Sequence, residues 1–299
     1  MKYRKTLSRI GASLIVSSLG LSASAQIFYQ IEGNGLENPS YLFGTHHLAP
    51  LNVVEENNVM DYFDRCEQVI GEIDLTQDQM SLAMKMQPYM MAPQDSTLSM
   101  LISAEDYAFI SDEFKKWAPY PGMELSMLEG MRPMVVSTMV SVKMISDDLQ
   151  GFDLSQQLDT YFQNSAKEKG KDIVALETPE FQAEMLYGST PIIYQAEMLV
   201  ELLKNPEKSI ESVKKLNTAY ANQDLDTMFA MSEENDEHPE FMEALLDRRN
   251  ADWLIKLPDL INNKTSFIAV GALHLAGDKG LIEGLRRLGY TVTPVIKQD

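Results

Sequence analysis

Two short segments near opposite ends of the chain share one pattern: an apolar run, a glycine, two residues and a histidine. The first is Tyr41-Leu42-Phe43-Gly44-Thr45-His46-His47, and the second is Phe267-Ile268-Ala269-Val270-Gly271-Ala272-Leu273-His274. Each apolar run has the length and composition of a strand. A glycine at its end permits backbone angles that other residues resist, so the chain can turn sharply there. The histidine that follows then points across the strand ends, where open α/β sheets hold ligands. Two such turns on neighbouring strands bring two imidazoles together. The chain has four histidines, and three lie in these turns. Imidazole is the commonest metal ligand and titrates near neutrality, so the pattern points to one shared site.

A two-histidine centre needs a carboxylate to complete a metal site or to act as a general base. Two candidates lie at the ends of other expected strands. Glu72 follows Val69-Ile70-Gly71, and Glu177 follows Ile173-Val174-Ala175-Leu176. Glu72 ranks first, because its strand is expected to neighbour the first histidine strand. Strands are expected at 27–32, 40–43, 68–73, 172–176, 265–270 and 290–296. Residues 76–146 read as a mostly helical insertion, with Ser103 capping a helix that runs through Trp117. Helices follow at about 152–169, 180–204, 207–222, 224–262 and 278–288. The fold class is therefore α/β, a mixed sheet flanked by helices.

Twelve of the nineteen methionines fall between Met80 and Met144. Their helical spacing makes them core or groove filler. Cys66 is the single cysteine, so no internal disulfide can form, and it reads as a small buried hydrophobe. His238 sits in Glu233-Glu234-Asn235-Asp236-Glu237-His238, which lacks the spacing of a calcium loop and reads as a solvated acidic loop.

Residues 1–25 carry Lys2, Arg4, Lys5 and Arg9, then an apolar stretch from Ile10 to Leu21, then Ala23-Ser24-Ala25. That succession is the pattern of a secretory signal peptide cleaved after Ala25. The apolar stretch is shorter than the roughly 20 residues a spanning helix needs, so no membrane span is expected in the mature protein. Residues 26–299 then form the folded domain, in the periplasm or outside the cell. The formal charge of −19 repels nucleic acid and anionic lipid.

Across most of residues 26–299 the chain resembles the TraB/GumN family, which includes the Tiki metalloproteases that trim Wnt N-termini. The matching stretches are Tyr41 to Leu48, Gly71-Glu72-Ile73-Asp74, Met131-Arg132-Pro133, Gly151-Phe152-Asp153, Gly170-Lys171, Leu176-Glu177-Thr178 and Gln182. They continue with Arg249-Asn250, Trp253 and Val270 to Gly277, then Gly280-Leu281, Leu288-Gly289-Tyr290 and Val292. The resemblance implies that His47 and His274 are the paired family histidines and Glu72 their acidic partner, with His46 in the variable position. Met134 follows Arg132-Pro133 where the family often has an aromatic. The implied fold is similar to the erythromycin esterase/ChaN-like group.

The reading these features support is an exported metallohydrolase acting on a peptide or protein substrate. A divalent cation (Mn²⁺, Co²⁺ or Zn²⁺) held by His47, His274 and Glu72 would lower the pKa of a bound water. If Glu72 is not a ligand, it would serve as the base, with Glu177 the second candidate for either role. Two alternatives use the same pocket: capture of a peptide, haem or metal without turnover, and metal-independent ester hydrolysis with His47 or His274 as base, oriented by Glu72.

Overall fold

A computed structural model describes residues 26–148, 156–234 and 239–296. The leader read in residues 1–25, the Gly151-Phe152-Asp153 stretch and His238 lie outside the described residues. Six strands form one mixed sheet: β1 (Phe28–Gly33), β2 (Ser40–Thr45), β3 (Gln68–Gly71), β4 (Asp172–Ala175), β5 (Ser266–Gly271) and β6 (Tyr290–Pro294). Their order is β4-β3-β5-β2-β1-β6. β2, β5, β3 and β4 run parallel, while β1 is antiparallel to both β2 and β6. β2 and β3 are buried along their length and β5 nearly so, as expected for parallel strands covered on both faces, whose sequences are near-continuous apolar runs.

The two histidine strands are direct neighbours, with Thr45 opposite Gly271 and Gly44 opposite Val270. The Glu72 strand is placed differently from the expectation. β3 pairs with β5 and β4, and β5 stands between β3 and β2. The last central strand in sequence is thus the middle one in space. All four parallel strands end on the same edge of the sheet, and His47, Glu72, Glu177 and His274 follow those four ends.

Two helices pack over the sheet and reach that edge. The helix Leu158–Glu168 buries Leu158, Asp159, Phe162, Gln163 and Ala166. The Phe162 ring meets Phe267, Phe43 and Phe63 at centroid separations of 4.8, 5.3 and 6.0 Å. Such aromatic pairs contribute about 0.5–1.5 kcal/mol each beyond their burial. They fix the helix against β2 and β5, so Asp159, one turn earlier on the same face, arrives at the end of β2. The helix Arg248–Asn263 buries Arg249, Asn250, Trp253, Leu257 and Ile261 as one stripe. Its apolar part holds the sheet, and its charged end points at the same edge.

In the region expected as one helix over 224–262, Leu225–Glu234, Pro239–Met242 and Arg248–Asn263 are helical, and a π-helical turn at Glu243–Asp247 joins the last two. A second π turn, Glu184–Gly188, divides the helix expected over 180–204. Ser103 caps the helix Ala104–Trp117 as expected, accepting from the Asp106 N–H.

A second apolar core lies away from the sheet. Ile110, Phe114, Val136, Val140 and Met144 pack there with Ala196, Leu199 and Leu203, so the helix Ile192–Lys204 joins the helices of the 76–146 region. The methionines divide. Met144 is buried and Met123, Met131 and Met139 pack partly against this core, but Met80, Met84, Met91, Met100 and Met127 stand exposed. Cys66 is buried, with its thiol pushed up to about 12 by burial. Among the described residues no helix is long and apolar enough to cross a membrane.

Gly44 is where the two histidine turns touch. A Cβ there would lie 2.9 Å from the Ala272 Cα and 3.0 Å from its Cβ. Gly44→Ala is expected to lower stability by roughly 1–3 kcal/mol through overpacking, read as a fall in the urea midpoint. An unchanged midpoint would show that the close approach carries no constraint.

Candidate functional site

A cleft of about 380 Å³ opens at the carboxyl edge of the parallel strands, the position where open α/β sheets hold ligands. Thr45, His46, His47, Glu72, Asp159, Gln163, Gln182, Arg249 and His274 supply its polar lining, and Leu186, Leu216, Leu245, Leu246 and Leu273 are among its apolar walls.

Arg249 organises one side. A guanidinium has five N–H donors and no acceptor, and every donor here is used. Nε donates to Glu177 Oε2 (3.0 Å). Nη1 donates to the Leu245 carbonyl (3.1 Å) and to His274 Nε2 (3.1 Å). Nη2 donates to Glu72 Oε2 (2.6 Å) and Glu177 Oε1 (2.6 Å). The Leu245 carbonyl belongs to the π-helical turn that precedes this helix, and π turns recur at functional positions.

Glu72 is held by three donors. Oε1 accepts from the Gly271 N–H (2.9 Å), while Oε2 accepts from Arg249 and from Gln182 Nε2 (2.8 Å). Burial works against its ionisation, but the Arg249 guanidinium and the Gly271 amide outweigh it and hold the carboxyl below the usual carboxylate range. The loop that presents Glu72 is shaped by Gln163, which donates to the Ile73 carbonyl (2.9 Å) and accepts from the Leu75 N–H (2.8 Å). Glu177 does not line the cleft. Its buried carboxylate accepts from Arg249 twice and from Trp253 Nε1 (3.2 Å), and burial raises its pKa. It anchors Arg249.

His274 is buried beneath Arg249, its ring 4.3 Å from that of Trp253. Nδ1 donates to Asn250 Oδ1 (2.7 Å), since Asn250 Nδ2 donates to the His274 and Lys279 carbonyls. That choice leaves Nε2 as the acceptor for Arg249, so the ring is the neutral Nδ1–H tautomer. Burial pushes its pKa down to about 3.

His47 is the opposite case. Its side chain is 65% exposed at the cleft, and Nδ1 lies 3.1 Å from Asp159 Oδ2. Asp159 is buried, and its other oxygen accepts from the Thr45 hydroxyl (2.7 Å). Contact with this carboxylate pushes His47 up to about 9. His46 turns away, with Nε2 2.7 Å from Asn217 Oδ1 and its ring against Tyr220 at 5.3 Å. Burial pushes it down to about 4.

His47, His274 and Glu72 therefore meet around one cleft, but a divalent cation does not fit them as they stand. The His274 Nε2 lone pair and both Glu72 oxygens are already engaged by N–H donors. Among the described residues no group of three His, Cys, Asp or Glu is placed to hold a metal ion. Asp159 and Gln163 are site residues that the sequence did not single out, and Arg249 and Asn250 entered only as a matching stretch with no role assigned. A signal for them existed: Asp159 and Gln163 are four apart within the apolar face of one helix, and Arg249 and Trp253 are four apart in another. Polar groups in a stripe destined for burial need partners.

A family model described as the TraB/PrgY/gumN family matches residues 27–294. No curated protein and no solved structure matches the chain.

Two neutral histidines, buried His274 and part-buried His46, make stability fall with acid. A group whose pKa is depressed on folding contributes stability that is complete above its unfolded pKa of about 6.5 and is lost as pH drops toward the folded value. For His46 and His274 that window runs from 6.5 down through about 4 and about 3. Urea unfolding is expected to weaken by up to about 1.4 kcal/mol per pH unit for each histidine below pH 6. A midpoint that is flat between pH 7 and 5 would contradict the neutral state of both rings.

Proposed function

The chain belongs to the TraB/PrgY/gumN family, and from that premise we propose that it hydrolyses an acyl bond in a peptide, with His47 and Asp159 activating the water. The observation that carries this reading is the half-open His47 ring backed by a buried carboxylate, itself anchored by Thr45. A base oriented by a third group is the arrangement by which hydrolytic sites make a nucleophile from a weak acid. In the neutral ring with its proton on Nδ1, beside Asp159, Nε2 is left to take a proton from a water in the cleft. The resulting hydroxide adds to the carbonyl carbon, and the imidazolium returns the proton to the leaving amine. Glu72 stays ionised and fixed, a positioning charge beside the reacting atoms.

The peptide class rests on the resemblance to Tiki metalloproteases and on the apolar walls of the cleft, which suit a side chain flanking the scissile bond. The same proposal places the protein outside the cytoplasm, on the strength of the charged, apolar and small-residue succession in residues 1–25. The metallopeptidase reading, with Mn²⁺, Co²⁺ or Zn²⁺ on His47, His274 and Glu72, supplies the rival outcome of the test.

Peptide hydrolysis by the purified protein is expected to persist after exhaustive dialysis against a chelator. His47→Ala should lower kcat/KM by roughly 10²–10⁴-fold, the usual contribution of a general base. Because the Asp159 carboxylate holds the imidazolium up to about 9, the base form is scarce at neutrality and kcat/KM should climb with pH toward that value. Asp159→Asn should move the climb to lower pH. Activity that vanishes on chelation and returns with Mn²⁺ would sink this mechanism in favour of the metal-dependent one.

A further inference from the structure

We infer that Arg249 holds the place of a divalent cation in this chain, and that removing its guanidinium opens a cation site made of Glu72, Glu177 and His274. Two carboxylates and one imidazole are a common donor set for Zn²⁺ and similar ions. Here all three converge on one side chain. A single nitrogen, Nη2, already touches both carboxylates at 2.6 Å, and the neighbouring Nη1 touches His274 Nε2 at 3.1 Å. His274 Nε2 lies 3.8 Å from Glu72 Oε1, a separation that two ligands of one ion can span. As they stand the three do not form a metal-holding group, and metal bonds of about 2.0–2.2 Å are shorter than these contacts, so the donors would have to draw inward once the guanidinium is gone.

The second coordination layer is already present. Asn250 accepts from His274 Nδ1 and so keeps the Nε2 lone pair aimed inward, the role that outer partners play for metal-bound histidines. Trp253 and Gln182 each donate to one of the carboxylates. What the structure puts in the centre is a cation that cannot dissociate. A guanidinium stays charged at any ordinary pH, and it supplies the neutralising charge without leaving coordination positions for water or substrate. The centre thus positions Glu72 and His274 and does not activate water, which is a different task from that of His47 and Asp159.

The test is Mn²⁺ binding by the full chain, followed by loss of the free-ion signal in electron paramagnetic resonance, a readout independent of turnover. Weak surface binding by an acidic protein is common to all variants and is subtracted with His274→Ala. Wild type is expected to take up no Mn²⁺ beyond the His274→Ala background. Arg249→Ala is expected to take up one equivalent, lost again in Arg249→Ala/His274→Ala, with a urea midpoint that rises on adding Mn²⁺. Arg249→Gln removes the charge while keeping much of the side chain's bulk, and serves where the alanine variant fails to fold. One equivalent bound by wild type and abolished by His274→Ala would overturn the inference. So would a folded Arg249 variant that binds none. Neither result depends on whether the protein cleaves peptides.

Discussion

The structure depends on one buried ion cluster. Arg249 touches strand ends that are far apart in sequence: Glu72 after β3, Glu177 after β4 and His274 after β5. Burying charges is expensive, and such a cluster is tolerated only when geometry and additional hydrogen bonds are good. Here five donors meet five acceptors, and Trp253, Gln182 and Gly271 occupy further positions on the carboxylates. Breaking a buried pair by removing one member costs on the order of 3–5 kcal/mol, because a charge is left stranded. The cluster therefore acts as a test of register: only the native strand order lets all four side chains meet.

Against that fixed side the cleft sets an adaptable one. His274 and His47 descend from the same Gly-x-x-His turn, yet their environments push them apart, one down to about 3 and the other up to about 9. Burial beneath Arg249 makes the first a neutral acceptor locked by Asn250. A carboxylate partner and an open face make the second a charged, solvent-reachable group. Groups of one chemical type driven to opposite protonation states are how sites divide acid, base and structural roles. The sequence motif is symmetrical, and the chemistry is not.

Much of this was legible before any coordinates. The strands, the pairing of the two histidine turns and the arrival of Glu72 at the same edge follow from apolar runs ending in glycine. What stayed hidden did so for identifiable reasons. The insertion of β5 between β2 and β3 is a matter of non-local pairing, which no local pattern records. Asp159 and Arg249 lie inside helices, where a charged residue ordinarily signals a solvated face. Only their phase, in line with Phe162 and with Trp253, marks them as inward. The division of the long C-terminal helical region by a π turn at Glu243–Asp247 left no compositional trace, since one extra residue per turn changes no propensity.

The place of β5 also determines when the molecule can assemble. β2 and β3 precede it in the chain by nearly two hundred residues or more, but they share no hydrogen bonds with each other and meet only through it. During synthesis or refolding the two halves of the sheet have no seam to join until residue 266 is available, so closure must wait for about the last ninth of the chain. Joining strands across such separations makes folding slow, because loop entropy is lost before contacts reward it. A chain cut short before β5 would carry one histidine turn and both glutamates with nothing to bring them together. The insertion thus makes the cleft an all-or-none product of the complete chain, with no partial version to release early.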